Sequence, residues 1–190
     1  MKKINLLLML VPLMVFSACR SDKQKMEDAK HADEVNDDKL QGGEEKTAGF
    51  LVDIANMNLS AIHLSELAYQ KASMEETKDM ASSMLTDHRL ALAEITVLAQ
   101  KRGVVLPTTP DAEATRQYDR IDKSTGADFD KEYADQMVKD HEKAIKTVQD
   151  IIDNTGDFEI KTWAEANLTT LKMHLEHAQH CQEMAKDMKK

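Results

Sequence analysis

Apolar side chains recur along this chain at alternating steps of four and three residues, which places them on one face of an α-helix. Four segments carry this pattern, and none shows the strict alternation of a β-strand. The first two stripes are Phe50, Ile54, Met57, Ala61, Leu64 and Ala68, and Ala81, Leu85, His88, Leu92, Ile95 and Ala99. The third and fourth are Ala134, Val138, His141, Ile145, Val148 and Ile152, and Ile160, Ala164, Asn167, Leu171, His174, Ala178, Cys181 and Ala185. The pattern therefore predicts an all-α fold of four long helices with facing apolar stripes.

The ends of these helices are predicted from capping residues. Ser73 followed by Glu76 indicates a capping box before the second helix, and Gly103 indicates its end. Residues 103–127 form the single long connection, with a short helix inside it, and Asp128 is predicted to cap the third long helix. Such a connection can run the length of the domain. We therefore predict a ferritin-like four-helix bundle with a long crossover between helices two and three.

The amino-terminal segment is predicted to be a lipoprotein signal peptide covering residues 1–18. Lys2 and Lys3 precede a short apolar run, which ends in small residues. The motif FSAC, ending at Cys19, resembles the lipobox of bacterial lipoproteins, and the resemblance implies an acylated Cys19 after cleavage. Arg20 stands where aspartate would signal retention at the inner membrane, so the resemblance implies an outer-membrane lipoprotein of the bacterial cell envelope.

Composition divides the remaining chain into two parts and limits its partners. Residues 19–46 are polar and charged and are predicted to form a flexible tether, whereas residues 47–188 form the bundle domain. The net charge of −9 becomes −11 when Lys2 and Lys3 leave with the signal peptide. An acidic domain does not attract nucleic-acid phosphates, so we expect a membrane partner through the lipid anchor and no nucleic acid.

Three histidines interrupt the apolar stripes near the middle of their predicted helices: His88, His141 and His174. A buried imidazole requires a hydrogen-bond partner or a metal ion, because burial of an unsatisfied polar group is unfavourable. One interpretation is a transition-metal site for zinc, copper or iron, in which His177, three residues beyond His174, is a further candidate ligand. The other is a layer of hydrogen-bonded histidines without metal.

Three acidic residues can support these histidines from neighbouring helices: Asp87, Asp140 and Glu176. The chain shows no nucleophile with a base at motif spacing, no glycine-rich phosphate loop and no pair of catalytic carboxylates. Hydrolase and nucleotide-dependent activities are therefore not indicated, and we expect no enzymatic activity.

A combination of short motifs resembles the bacterial family called domain of unknown function 4142, over roughly residues 50–180. Its carriers are Leu67, Ala68, Lys71, Ala72, Met84, Asp87, His88, Gly103, Leu106, Pro107, residues 126–130, Tyr133, Asp140, His141, His174 and Leu175. The resemblance implies an exported protein with a ferritin-like bundle and no defined activity. Ala61, Leu85 and Leu171 stand where a ferritin-like di-metal centre requires carboxylates, so an oxidase is disfavoured.

The sequence favours a lipid-anchored envelope protein with a structural or binding role. The alternative is a protein that binds a transition metal through buried histidines of the bundle. The patterns name no protein partner and no oligomeric state.

Overall fold

The computed structural model describes residues 30–32, 34–36 and 43–188, and the regular secondary structure of these residues is entirely helical. The helices of ten residues or more are α1 (Gly43–Lys71), α2 (Glu75–Arg102), α3 (Ala112–Ile121), α4 (Gly126–Asn154) and α5 (Phe158–Asp187). The all-α prediction is confirmed. Four of these helices have 28 to 30 residues, which matches the four apolar stripes of the sequence.

The four long helices enclose two apolar clusters, one at each end of the domain. The first core cluster includes Leu64, Met80, Met84, Phe129, Tyr133 and Cys181. The second core cluster includes Leu51, Ile95, Leu98, Val148, Ile151 and Ile160. Helices α2 and α4 begin at the first cluster and end at the second, so they run parallel, while α1 and α5 run in the opposite direction.

The order of packing follows from the lengths of the connections. Helices α1 and α2 are joined by residues 72–74 and form one hairpin, and α4 and α5 are joined by residues 155–157 and form the other. The hairpins meet through α1 against α4 and α2 against α5. Because α2 and α4 are parallel, residues 103–125 must return the chain along the domain, and the short helix α3 in this connection packs on α1 and α4.

The start of α2 is capped from another helix. Asp130 on α4 is fully buried, and its carboxylate accepts hydrogen bonds from the Ser73 amide at 3.1 Å, the Met74 amide at 3.3 Å and the Ser73 hydroxyl. The predicted capping box of Ser73 with Glu76 is therefore wrong, since Met74 is the cap residue and has no side-chain cap bond. A negative carboxylate at this position also compensates the positive end of the α2 dipole.

Of the other two predicted caps, one is confirmed and one is corrected. Gly103 ends α2 in the left-handed conformation, with φ of 68°, as predicted. Helix α4 begins at Gly126, whose φ of 60° makes the turn into the helix, so Asp128 lies within the first turn instead of capping it. The last helix begins after Asp157, whose carboxylate accepts hydrogen bonds from the amides of Glu159 and Ile160.

Part of the segment predicted as a tether packs on the helical domain. Residues 30–32 and 34–36 are helical, and the Asn36 amide pairs with the backbone of Val105 at 2.9 and 3.0 Å. Helix α1 begins at Gly43, a few residues before the predicted start of the domain. The signal peptide and Cys19 lie outside the described residues, so these assignments stay predictions. Within the described ranges, no helix has the length and apolar character needed to cross a membrane.

Candidate metal centre

Three imidazoles meet between the two core clusters. His88 on α2, His141 on α4 and His174 on α5 are buried, with ring centroids 5.2 to 5.4 Å apart. When one ring nitrogen is taken from each histidine, three nitrogens can be chosen that all lie within 4.8 Å of one another. The prediction that these residues share one depth is confirmed, because the three rings lie next to one another. We call them the histidine triad.

The protonation of His88 follows from its neighbour on α1. His88 Nδ1 lies 2.9 Å from Asn58 Oδ1, while Asn58 Nδ2 donates to the carbonyl oxygen of Ile54 at 2.8 Å. The amide nitrogen is thus occupied, and the amide oxygen must accept from His88 Nδ1. Nε2 of the neutral imidazole therefore carries a lone pair.

His141 is fixed in the same tautomer by the backbone of its own helix. Its Nδ1 lies 2.9 Å from the carbonyl oxygen of Met137, which can only accept. His141 Nε2 consequently also carries a lone pair, and it lies 3.3 Å from His88 Nε2. Neither nitrogen can donate to the other while both rings are neutral. Two imidazole nitrogens bound tetrahedrally to zinc at ordinary bond lengths are separated by about 3.3 Å.

His174 offers the third lone pair. Its Nε2 lies 2.9 Å from a carboxylate oxygen of Asp87, so this nitrogen holds the proton and donates. The other nitrogen, Nδ1, is buried and has no hydrogen-bond partner among the described residues. A buried acceptor without a donor is unfavourable in a protein interior, but it can serve as a metal ligand.

Burial keeps the triad neutral. It lowers the pKa of His88 well below its ordinary value, with a further lowering from His141 and His174. Burial also lowers the pKa of His141 to about 4. It lowers the pKa of His174 as well, although the Asp87 carboxylate offsets part of this by raising it. Neutral imidazole is the form that binds metal.

These lowered pKa values predict that the metal-free protein loses stability in mild acid. Below about pH 6.5 the unfolded chain protonates its histidines, whereas folded His141 stays neutral until about pH 4. Asp140 has the opposite effect on stability. Burial raises its pKa to about 6, so the folded protein takes up this proton before the unfolded chain does as the pH falls. The three imidazoles together outweigh this one carboxyl. We expect the free energy of unfolding to fall by on the order of 3 kcal/mol from pH 7.5 to 4.5.

Denaturant titrations in the presence of a chelator measure this change. His141→Leu should flatten the pH dependence, whereas His180→Ala, at an exposed position on α5, should leave it as in the wild type. An equally steep curve for His141→Leu would show that the acid sensitivity arises elsewhere.

The other predicted site residues lie apart from the triad. His177 is half-buried one turn beyond His174, and its Nε2 lies 3.5 Å from Glu76. Asp140 accepts from Gln136 at 2.9 Å, and its other carboxylate oxygen is buried without a partner in the part of the chain that the structure describes. Glu176 is exposed on α5. Of the three predicted acidic partners, the structure brings only Asp87 to a histidine of the triad, and it does so from a neighbouring helix, as predicted.

Asn58 is the site residue that the sequence analysis missed. It lies four residues after Ile54 and three before Ala61, on the inner face of α1. A polar side chain within an apolar stripe is the same signal that identified the histidines, so the position could have been found by this rule.

A cavity of about 390 Å³ adjoins the triad, and the three histidines form part of its wall.

The sequence profile of a family described as Domain of unknown function (DUF4142) matches residues 28–181. No curated protein and no solved structure matches the chain.

Proposed function

Because the chain belongs to the DUF4142 family, whose description assigns no activity, we propose a function from the histidine triad: the protein binds one transition-metal ion through His88, His141 and His174. The observation that carries the proposal is the 3.3 Å separation of two Nε2 atoms that both hold lone pairs. Without a cation these lone pairs repel each other in an interior that screens them poorly. A metal ion turns this repulsion into two coordinate bonds.

The donor set indicates the class of metal. The triad offers neutral nitrogen donors and no thiolate, since Cys181 lies in the first core cluster. Imidazole suits zinc, copper(II) and iron, whereas copper(I) prefers sulfur ligands. Zinc best matches the 3.3 Å nitrogen separation at tetrahedral geometry, so we propose Zn²⁺ as the first ion to test.

Each ligand has a partner that holds it in the binding tautomer. Asn58 Oδ1, the Met137 carbonyl and the Asp87 carboxylate each accept from one ring nitrogen, which leaves the lone pair on the other nitrogen. Such outer partners orient the ligands and increase their basicity. The three acceptors are a side-chain amide, a backbone carbonyl and a carboxylate. Each accepts one hydrogen bond from a neutral imidazole ring.

The order and directions of the long helices support a ferritin-like bundle as the frame of this site. The FSAC motif supports a lipid anchor at Cys19, which would hold the domain at the envelope membrane. We propose no reaction. A purely structural role for the triad is the competing hypothesis, and it predicts no metal binding.

Cobalt(II) titration of the purified metal-free protein tests the proposal, because Co²⁺ replaces Zn²⁺ and reports its own coordination. We expect one ion per chain and the intense visible absorption of tetrahedral Co²⁺, which added Zn²⁺ should abolish. The double variant His88→Leu/His174→Leu should show neither, while His180→Ala should behave as the wild type. A folded wild-type protein that binds no stoichiometric metal would disprove the proposal.

A further inference from the structure

The histidine triad offers a metal ion three ligands and borders a cavity. We infer that the bound ion accepts a fourth ligand from outside the protein, a small molecule with an uncharged nitrogen donor atom and an apolar body. This inference rests on the proposed metal binding. It makes the site an exchangeable ligand-binding centre instead of a closed structural one.

The protein supplies three ligands where closed zinc sites have four. Among the described residues, the group able to hold a metal consists of the triad alone. Helix α1 faces the triad but contributes Asn58, whose amide oxygen is already used by His88, and the small Ala61. Sites with three protein ligands leave the fourth position to water or substrate.

Small side chains keep space beside the open position. Ala61, Ala91 and Ala144 line the cavity, and each is on the inner face of its helix. These three alanines belong to three different long helices, α1, α2 and α4, at the level of the triad. Larger residues at these positions would fill the space next to the histidines, so the cavity is a consequence of the sequence at this level of the core.

The size and lining of the cavity indicate the kind of ligand. Its volume of about 390 Å³ equals that of roughly a dozen water molecules and lies in the range of small-molecule sites. Apolar parts of the wall come from Met57, Val148, Leu171 and Trp163, and uncharged polar parts from Thr147, Asn167 and Thr170. The charged lining is mainly acidic, so it favours an uncharged donor over an anion; it consists of Asp53, Asp87, Asp111, Glu113, Asp140 and Lys143. Asp140, one of the lining residues, has a buried carboxylate oxygen, Oδ2, without a hydrogen-bond partner among the described residues.

Imidazole and 4-phenylimidazole test the inference when added to the Co²⁺-loaded protein. Both should shift the visible bands to saturation, because each replaces the fourth ligand. The phenyl ring should increase affinity by about tenfold, because it buries apolar surface in the cavity. Bands that do not move at saturating imidazole overturn the inference, while the Co²⁺ spectrum itself shows whether the proposed metal site stands.

Variants that fill the cavity make the test specific. Ala144→Leu, one turn after His141, should retain Co²⁺ binding and weaken 4-phenylimidazole by at least about tenfold. Thr147→Leu provides a second filling variant in case the first does not fold. Ala93→Leu, at an exposed position on α2, is the matched control and should bind as the wild type. Equal affinity in all four proteins would also overturn the inference.

Discussion

Replacing His141 with leucine should reduce the affinity for Zn²⁺ by more than about a hundredfold. Removing a residue that only hydrogen-bonds a ligand lowers metal affinity by up to about a hundredfold, and loss of the ligand itself should cost more. His141 supplies one of the two lone pairs that lie 3.3 Å apart, so its removal leaves only two ligands from the protein. Isothermal titration of metal-free wild type and variant gives both dissociation constants directly.

The same substitution distinguishes a ligand from a structural histidine. Zinc that binds only the folded state should stabilise the wild type by about 4 kcal/mol when free zinc is a thousand times the dissociation constant. His141→Leu should lose at least about two-thirds of this increment, because a site weakened a hundredfold retains no more than about 1.4 kcal/mol at the same zinc concentration. In the absence of metal the variant should be at least as stable as the wild type, because an apolar side chain of similar size removes the lone-pair repulsion.

His180→Ala is the control for both measurements, since His180 is exposed on α5 and lies outside the triad. It should keep the wild-type affinity and the wild-type increment. If His141→Leu is instead destabilised in chelator and zinc stabilises neither protein, the triad is a structural hydrogen-bonded layer and the metal proposal is wrong.

Replacing Asp130 with alanine should lower the free energy of unfolding by about 3 kcal/mol, since the buried Met74 amide left unsatisfied costs about 1–3 kcal/mol and the charged hydrogen bonds to the more exposed Ser73 are lost as well. The Asp130 carboxylate accepts from two backbone amides and one hydroxyl, all at the α1–α2 connection. Alanine would leave the buried Met74 amide without an acceptor and create a space beside the first core cluster. Denaturant unfolding at neutral pH measures the loss.

Two further variants separate the causes of this loss. Asp130→Asn keeps an acceptor oxygen but removes the charge, so it should lose about half as much, because charged hydrogen bonds are about twice as strong. Asp79→Ala, at an exposed position on α2, should change stability by less than about 0.5 kcal/mol. If Asp130→Ala is as stable as Asp79→Ala, the carboxylate does not hold the start of α2.

The two sites differ in how far the sequence could predict them. The triad could be anticipated because each histidine occupies a stripe position whose burial follows from the helical period. The role of Asp130 could not, because its partners Ser73 and Met74 lie 57 and 56 residues away in the chain. The same local pattern suggested a capping box of Ser73 with Glu76, and a stronger acceptor from α4 displaced it.

His177 illustrates the limit of spacing as a criterion. A step of three residues on a helix makes two side chains neighbours, which made His177 a reasonable fourth ligand. The same step places His177 about one turn farther along α5, next to the start of α2. Its Nε2 therefore lies near Glu76 and not near the triad. Asn58, in contrast, belongs to the inner face of α1 by spacing alone.

The sequence by itself determined the helices, their apolar stripes and the common depth of His88, His141 and His174, because helical periodicity is a local property of the chain. Only the tertiary structure decided which nitrogen of His88 and of His174 holds the proton, since Asn58 and Asp87 reach these rings from other helices. It also decided that three ligands meet beside a cavity, because the space left by alanines on three helices exists only once those helices pack.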